Sequence, residues 1–291
     1  MICELILLMS LTVGTPPDLR GQIEQIAREA QGRVGAAVLV VETGETVAFH
    51  GDEHFPMQSV YKLPIGMAVL HEVEQGRLKL EQQVRVEKSD LVSARVHSPI
   101  RDKHPKGGVT LTVRECLRAM LVESDGTASD ILLRLVGGPA RVTEYLRGLG
   151  VQDVVVATSE QEMAQGELVQ YQNWATPAAM AGLLRTLQTG RGLSAESRAL
   201  LLQFMIETTT FPHRLKGHLP AGTTVGHKTG SSGVSNGLAR ATNDVGIITL
   251  PDGRHLVVVV FVSDSTAADA TRDDVIAKIA RAAWDWRVPP H

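Results

Sequence analysis

The stretch Gln58-Ser59-Val60-Tyr61-Lys62 sets a hydroxyl and an amine three residues apart, just ahead of an apolar run that reads as a helix. On a helix that spacing puts both side chains on one face, a turn apart. A serine at a helix start meets backbone N–H groups without partners and the positive end of the helix dipole, which suit a developing oxyanion. The same field disfavours a protonated Lys62 and helps it act as a base. The chemistry implied is nucleophilic, with a serine hydroxyl activated by a neighbouring amine. Taken alone, the pair reads equally well as a capping serine beside a solvated lysine.

Two further clusters lie downstream. Ser124-Asp125-Gly126 falls between two helix-like segments, and Lys228-Thr229-Gly230 falls on a strand-like one. A competing signature follows the second cluster. Gly233-Val234-Ser235-Asn236-Gly237 spells the G-x-S-x-G of a nucleophile elbow, and Ser235, Asp244 and His255 give a serine, acid, histidine order. An elbow needs a strand before its serine and a helix after it. The residues after Ser235 read as strand, and glycine and serine are common turn residues. An α/β-hydrolase esterase acting through Ser235 is therefore the remote alternative.

With S-x-x-K, S-D-x and K-T-G in this order, the chain resembles the class A serine β-lactamases. The likeness covers nearly the whole length, including LVGGPARVTEYLRGLG after the second motif and GIITLPDGRH after the third. It implies Ser59 as nucleophile and Lys62 as its base. Ser124 would relay a proton to the leaving nitrogen. The backbone N–H groups of Ser59 and Ser231 would form the oxyanion hole. Lys228, Thr229 and Gly230 would present the strand that receives the substrate carboxylate, with Lys228 also lowering the pKa of Lys62. Arg214 matches a second positive group that some members supply just before this strand; Val245 stands where many others carry an arginine. His97 sits where the family often places an aromatic at the cleft mouth.

The family also places a deacylating glutamate on a loop, here VATSEQEMAQGELVQYQNWATP. Glu160 is the better match, because in that register Met163 faces the core. Glu162 is the second choice, and Glu162 and Glu167 read as solvated loop acids. The chain departs from the pattern at Gly126, in place of the asparagine that ends the second motif, and at Thr158, Gln161 and Ala164 around the glutamate. VQYQNW and Gln58 are similar to an extended-spectrum subgroup, in which this loop takes a different path and opens the site. The resemblance thus implies β-lactam hydrolysis through a Ser59 acyl-enzyme, conferring resistance. The alternative within the same fold is a slowly deacylating penicillin-binding or sensing protein, a reading that Gly126 and Ala164 favour.

These residues need elements to position them. Asp18 to Gln31 has helical spacing, and RVGAAVLVVETGETVAFH gives two strands around a Thr43-Gly44 turn. Helical signals run over Val60–Glu74, Val113–Glu123, Ala128–Val136, Ala140–Leu149, Pro177–Thr189 and Ala195–Glu207; between Ala157 and Trp174 there is no period. Strand signals return in TTVGHKTG, RATNDVGIITL and HLVVVVFVSD, before a last helix from Asp269 to Trp286. The expected fold class is α/β plus α: an antiparallel sheet built from both chain ends and covered by the terminal helices, with an inserted all-helical domain. The expected segments are a signal over 1–16, an α/β domain over 17–56 and 208–291, and a helical domain over 57–207. A cleft between the two domains is the default site.

The totals narrow the function further. The 291 residues are 43% hydrophobic and 21% charged, with a net charge of −3 and no basic stripe of the kind nucleic-acid binding needs. Cys3 and Cys116 form neither a disulfide framework nor a zinc pattern, and Cys116 reads as a buried free thiol. The 10 histidines include no H-x-H-x-D or H-E-x-x-H. His213 and His218 flank a turn and read as exposed. No metal or other cofactor is expected. The apolar run Leu5–Val13 is too short to span a bilayer and resembles a signal-peptide core, though Glu4 stands where a positive charge is usual. The expectation is a periplasmic or secreted monomer, off the membrane in its mature form, acting on a small molecule.

Overall fold

The computed structural model describes residues 18–288, so Cys3, the apolar run Leu5–Val13 and the expected signal segment lie outside the described residues. Five antiparallel strands form the main sheet, in the order Thr46–Phe49, Arg33–Val40, His255–Ser263, Thr242–Thr249, Val225–Ser231. Both parts of the chain thus contribute to one sheet, as its strand signals require. The central strands are apolar almost throughout because both of their faces are covered. On one face, Ile23 of the helix Leu19–Ala27 and Val275, Ile276 and Ile279 of the helix Asp269–Arg287 pack with Val38, Val258 and Val260. On the other, Ala37, Val259 and Phe261 join a core with Met67, Leu121 and Met180 from the helices.

The helices form within a residue or two of the spans that periodicity predicts: Lys62–Glu74, Val113–Val122, Gly126–Leu135, Pro139–Gly148, Pro177–Gln188 and Ala195–Ile206. Several start at side-chain caps. Asp125 Oδ1 accepts from Ala128 N at 2.8 Å, and Thr176 Oγ1 accepts from Ala179 N at 3.2 Å ahead of Pro177. The motif-bearing helix differs from expectation at its start. Ser59 lies in a 3₁₀ turn, Gln58–Tyr61, and the α-helix begins only at Lys62. Pro64 is compatible with that first helical turn, where a missing N–H has no partner to lose.

Other differences have a common cause in short elements. Gln83–Val86 pairs with Val109–Thr112, and Phe55–Pro56, Trp174–Ala175 and Val154–Val155 make a small sheet. Elements of two to four residues carry too little period to read. The stretch Ala157–Trp174 likewise contains a one-turn helix, Glu160–Met163, and a 3₁₀ turn, Val169–Gln172. Glu162 is accordingly not a free loop acid. Its Oε2 accepts from Ser159 N at 2.8 Å and Thr158 Oγ1 at 3.1 Å, completing a capping box with Ser159.

Two contacts press the last two strands of the sheet, Thr242–Thr249 and Val225–Ser231, against the Ser59 turn. Buried Asn243 donates through Nδ2 to Pro56 O at 2.8 Å and Met57 O at 3.0 Å. Gly230 lies so close that a Cβ there would stand 2.5 Å from Met57 O and 3.1 Å from Ser59 N. Replacing Asn243 by alanine removes this donor from Pro56 O and leaves Met57 O with Val60 N at 3.2 Å. N243A should lower unfolding stability by about 1–3 kcal/mol in urea titration, with the denaturant midpoint falling at an unchanged slope.

Candidate active site

Four elements meet at Ser59. The turn Gln58–Tyr61 supplies Ser59, and the next residue along, Lys62, is almost wholly buried. Lys62 Nζ donates to Ser59 Oγ at 3.1 Å and to Ser124 O at 2.7 Å, and stands 3.4 Å from Ser124 Oγ. The same ammonium pairs with Glu160 Oε1 at 2.8 Å. From the sheet side, buried Lys228 Nζ donates to Ser124 Oγ at 3.0 Å and Thr229 O at 3.1 Å. Burial first, and the charge of Lys62 second, hold the Lys228 ammonium well below the usual lysine range. The three motifs that the sequence analysis singled out are therefore one hydrogen-bonded group.

Each member has a support behind it. Ser124 has φ +60, a left-handed conformation costly for serine. Asp125 fixes the turn by accepting from Ser98 Oγ at 3.0 Å and Ile100 N at 2.7 Å while capping the next helix. Glu160 is held by its own backbone: Asp130 accepts from Glu160 N at 2.8 Å and Gln161 N at 3.0 Å. Asn173 closes the base of that loop, accepting from Ala157 N at 2.7 Å and Thr158 N at 3.0 Å and donating to Thr158 O at 2.9 Å. Gln58 Nε2 donates to Gln170 Oε1 at 2.7 Å, tying the loop to the Ser59 turn.

The strand Val225–Ser231 forms the opposite wall. Thr229 and Thr210 share a hydrogen bond of 2.6 Å. Arg214 is buried rather than at the surface. Its guanidinium donates to Asp273 Oδ1 at 2.7 Å, Asn243 O at 2.9 Å, Gly230 O at 3.1 Å and Ser231 Oγ at 2.6 Å. It thus meets the cleft through Ser231. Cavities of about 360 Å³ lie on both sides of Ser59, one toward Glu160 and Gln170, the other toward Thr229 and Ser231. His97 lines both, its Nε2 in a 2.9 Å hydrogen bond with Glu123 O.

The elbow alternative fails on geometry. Ser235 lies on a short strand paired with Leu238–Ala239 and is followed by no helix. Its hydroxyl bonds Glu167, which also pairs with Arg240 at 2.8 Å, so Glu167 is not a merely solvated acid. Asp244 is buried against His227 at 2.9 Å, and His255 pairs with Glu42 at 2.8 Å. His213 and His218 are exposed, as expected, and His218 pairs with Asp274 at 2.6 Å. Cys116 is a buried free thiol, its pKa pushed up to about 12 by burial. Among the described residues, no set of three His, Cys, Asp or Glu side chains converges as a metal site, and no helix is long and apolar enough to cross a membrane.

A model of the β-lactamase enzyme family matches residues 18–287. This chain belongs to that family. It is 41% identical to the extended-spectrum β-lactamase PER-1 of Pseudomonas aeruginosa over 95% of its length and 90% of that protein. It is 40% identical to the β-lactamase VEB-1 of the same organism, over 92% of this chain and 90% of that one. Among solved structures, the TLA-1 extended-spectrum β-lactamase superposes with a TM-score of 0.90 at 41% identity, covering 93% of this chain and 98% of that one. A β-lactamase from Chitinophaga pinensis gives 0.89 at 47% identity, covering 92% and 98%.

Within this family member the unusual positions acquire neighbours. A Cβ on Gly126 would stand 2.5 Å from Val96 Cγ1, 3.1 Å from His97 O and 3.5 Å from Glu160 Cγ, so Val96 fills the space a side chain would need. Thr158 and Gln161 act through backbone groups, bonded to Asn173 and Asp130 respectively. Sequence reading missed Asp130, although it lies four residues after Gly126 on the same helix face. It missed Asn173 as an anchor even though NW closes the quoted loop.

Asp130 generates a pH test. Burial, with the neighbouring charge of Glu160, raises its pKa from 3.8 to about 6. The folded state then holds a proton that the unfolded state releases between about pH 4 and pH 6, so this group's contribution to stability is lost as pH rises through that window. Asparagine removes the titration. The melting temperature of D130N relative to wild type should therefore rise between about pH 4 and pH 7, as read by thermal melts across the window.

Proposed function

We propose that this protein hydrolyses β-lactam antibiotics, conferring resistance to them, through an ester on Ser59. One observation carries the reading: a single buried ammonium, Lys62, contacts at once the Ser59 hydroxyl, both oxygens of Ser124 and the Glu160 carboxylate. Ser59 Oγ attacks the lactam carbonyl, and its proton passes to the Lys62–Glu160 pair. The backbone N–H groups of Ser59 and Ser231 receive the developing oxyanion. The ring C–N bond breaks as Ser124 gives its proton to the nitrogen and is reprotonated from the lysines it touches. Glu160 then takes a proton from water as that water attacks the ester, and the ester C–O bond breaks as Ser59 Oγ takes that proton back through Lys62, releasing the opened acid.

Binding follows from the opposite wall. Lys228, Thr229 and Ser231 receive the substrate carboxylate where Gly230 lets the strand approach Ser59, and Arg214 adds its charge through Ser231. The side chain on the lactam ring lies toward Gln170, beside His97 and Gly126. The steps above call on Ser59, Lys62, Ser124, Glu160, Lys228 and the Ser231 N–H alone, so the reading needs no cofactor, and a monomer acting on a small molecule is part of the same proposal. The apolar run Leu5–Val13 supports export to the periplasm or beyond.

A second reading has its own observation. Gly126 and Ala164 offer no side-chain amide to substrate or water, which favours a protein that acylates and then deacylates slowly. Stopped flow with a chromogenic cephalosporin, with intact mass on quenched samples, separates the two. Sustained turnover without a lasting adduct is expected. A burst of one equivalent and a stable adduct on Ser59 would favour the second reading. S59A should form no adduct. E160Q should accumulate the adduct while turnover falls by about 10²–10⁴-fold, the usual worth of a general base.

A further inference from the structure

Phe211 stands at the rim of the cavity on the Thr229 side, and the reaction described above does not use it. Its backbone has φ +48, a left-handed conformation that a bulky aromatic rarely adopts. Its side chain is 43% exposed. Strain and apolar exposure together at one residue are costly, and such combinations gather at functional sites. The ring is not loose. The guanidinium carbon of Arg214 lies 3.9 Å from its centroid, and Arg214 is fixed by Asp273, Gly230 O, Asn243 O and Ser231. Phe211 therefore projects from a rigid base into a cavity that also reaches Ser59.

The character of that cavity indicates what it takes. Its volume is about 360 Å³, enough for a small ring. The Thr210 and Thr229 hydroxyls share one hydrogen bond, which leaves one O–H for the substrate carboxylate, and the His97 ring is fixed by its bond to Glu123 O. Few uncommitted polar groups remain beside the aromatic. In the pose proposed above, the substrate carboxylate sits on Thr229 and Ser231. The ring carbon next to the carboxylate-bearing carbon then faces this cavity, whereas the acylamino side chain faces the one toward Gln170.

We propose that Phe211 is a specificity-determining residue, selecting β-lactams with a flat apolar or aromatic substituent on the ring carbon adjacent to the carboxylate-bearing carbon, as in many cephalosporins. The inference rests on the β-lactamase reading and assigns one side of its site. The substituent packs on the Phe211 ring in ground state and transition state alike, so the preference is expressed mainly in KM.

The test uses two cephalosporins that differ only at that carbon, one bearing an aromatic group and the other a methyl. Wild type should show the higher kcat/KM for the aromatic compound. F211A should reduce that ratio by about tenfold, chiefly through KM, within the range a hydrophobic pocket can discriminate. F211G serves as a second variant, because glycine adopts φ +48 without strain and so preserves the loop. F211W should retain the preference. If F211A and F211G slow both compounds equally, Phe211 merely props Arg214 and the proposal is overturned. If the wild type turns over both and the ratio is unchanged in the variants, the proposal fails while the β-lactamase reading stands. If the wild type gives neither turnover nor adduct with either compound, both fail.

Discussion

Two lysine amines share one hydroxyl at the centre of this molecule. Lys228 reaches Ser124 Oγ at 3.0 Å and Lys62 stands 3.4 Å from it, and both lysines are almost wholly buried. Burying one charge is expensive, and burying two of the same sign beside each other more so, unless every donor is satisfied. The satisfaction comes from far apart in the chain: Glu160 from the loop, Ser124 O from the turn between two helices, and Thr229 O from the sheet. The elements that carry these acceptors must therefore be placed to within a fraction of an ångström. Asn243 and Gly230 do this between sheet and turn, Asp125 does it for Ser124, and Asp130 with Asn173 does it for Glu160.

Part of the backbone strain in the fold lies at the same place. Gln58, Ser124 and Phe211 all have positive φ, and all three border the cavities beside Ser59. A left-handed non-glycine residue costs on the order of 1–3 kcal/mol and persists only where its surroundings over-determine it. Here the surroundings are the hydrogen bonds just described, so stability made in the core and in the helix caps offsets strain at the cleft. The same arrangement fixes the reacting groups before any substrate arrives, which is where preorganised electrostatics gains its advantage.

Much of this was legible in the sequence. The long helices and strands showed themselves because their apolar period runs over many turns or a full sheet width, and the three motifs stood out by order. Glu160 was distinguished from Glu162 by the orientation of Met163, which packs against the core. What escaped was of two kinds. Two-residue strands such as Phe55–Pro56 have no period. Supports such as Asp130, Asn173 and Asn243 act on backbone groups of distant segments, and no local pattern records a hydrogen bond across 30 or 187 positions. Arg214 shows the same limit from the other side. Its motif position was readable, but not that its charge would be buried and passed to the cleft through a serine.

The contact between Val96 and Gly126 has a consequence for how this site can change. Valine branches at Cβ and has few rotamers, so it cannot swing clear of a side chain introduced at 126. Shortening Val96 alone would widen the cleft beside Glu160, and a Cβ at 126 would meet Cγ1 at 2.5 Å. The two positions therefore form a sterically coupled pair. An amide at 126 thus fits only with a change at Val96 or a shift of the segment that carries it.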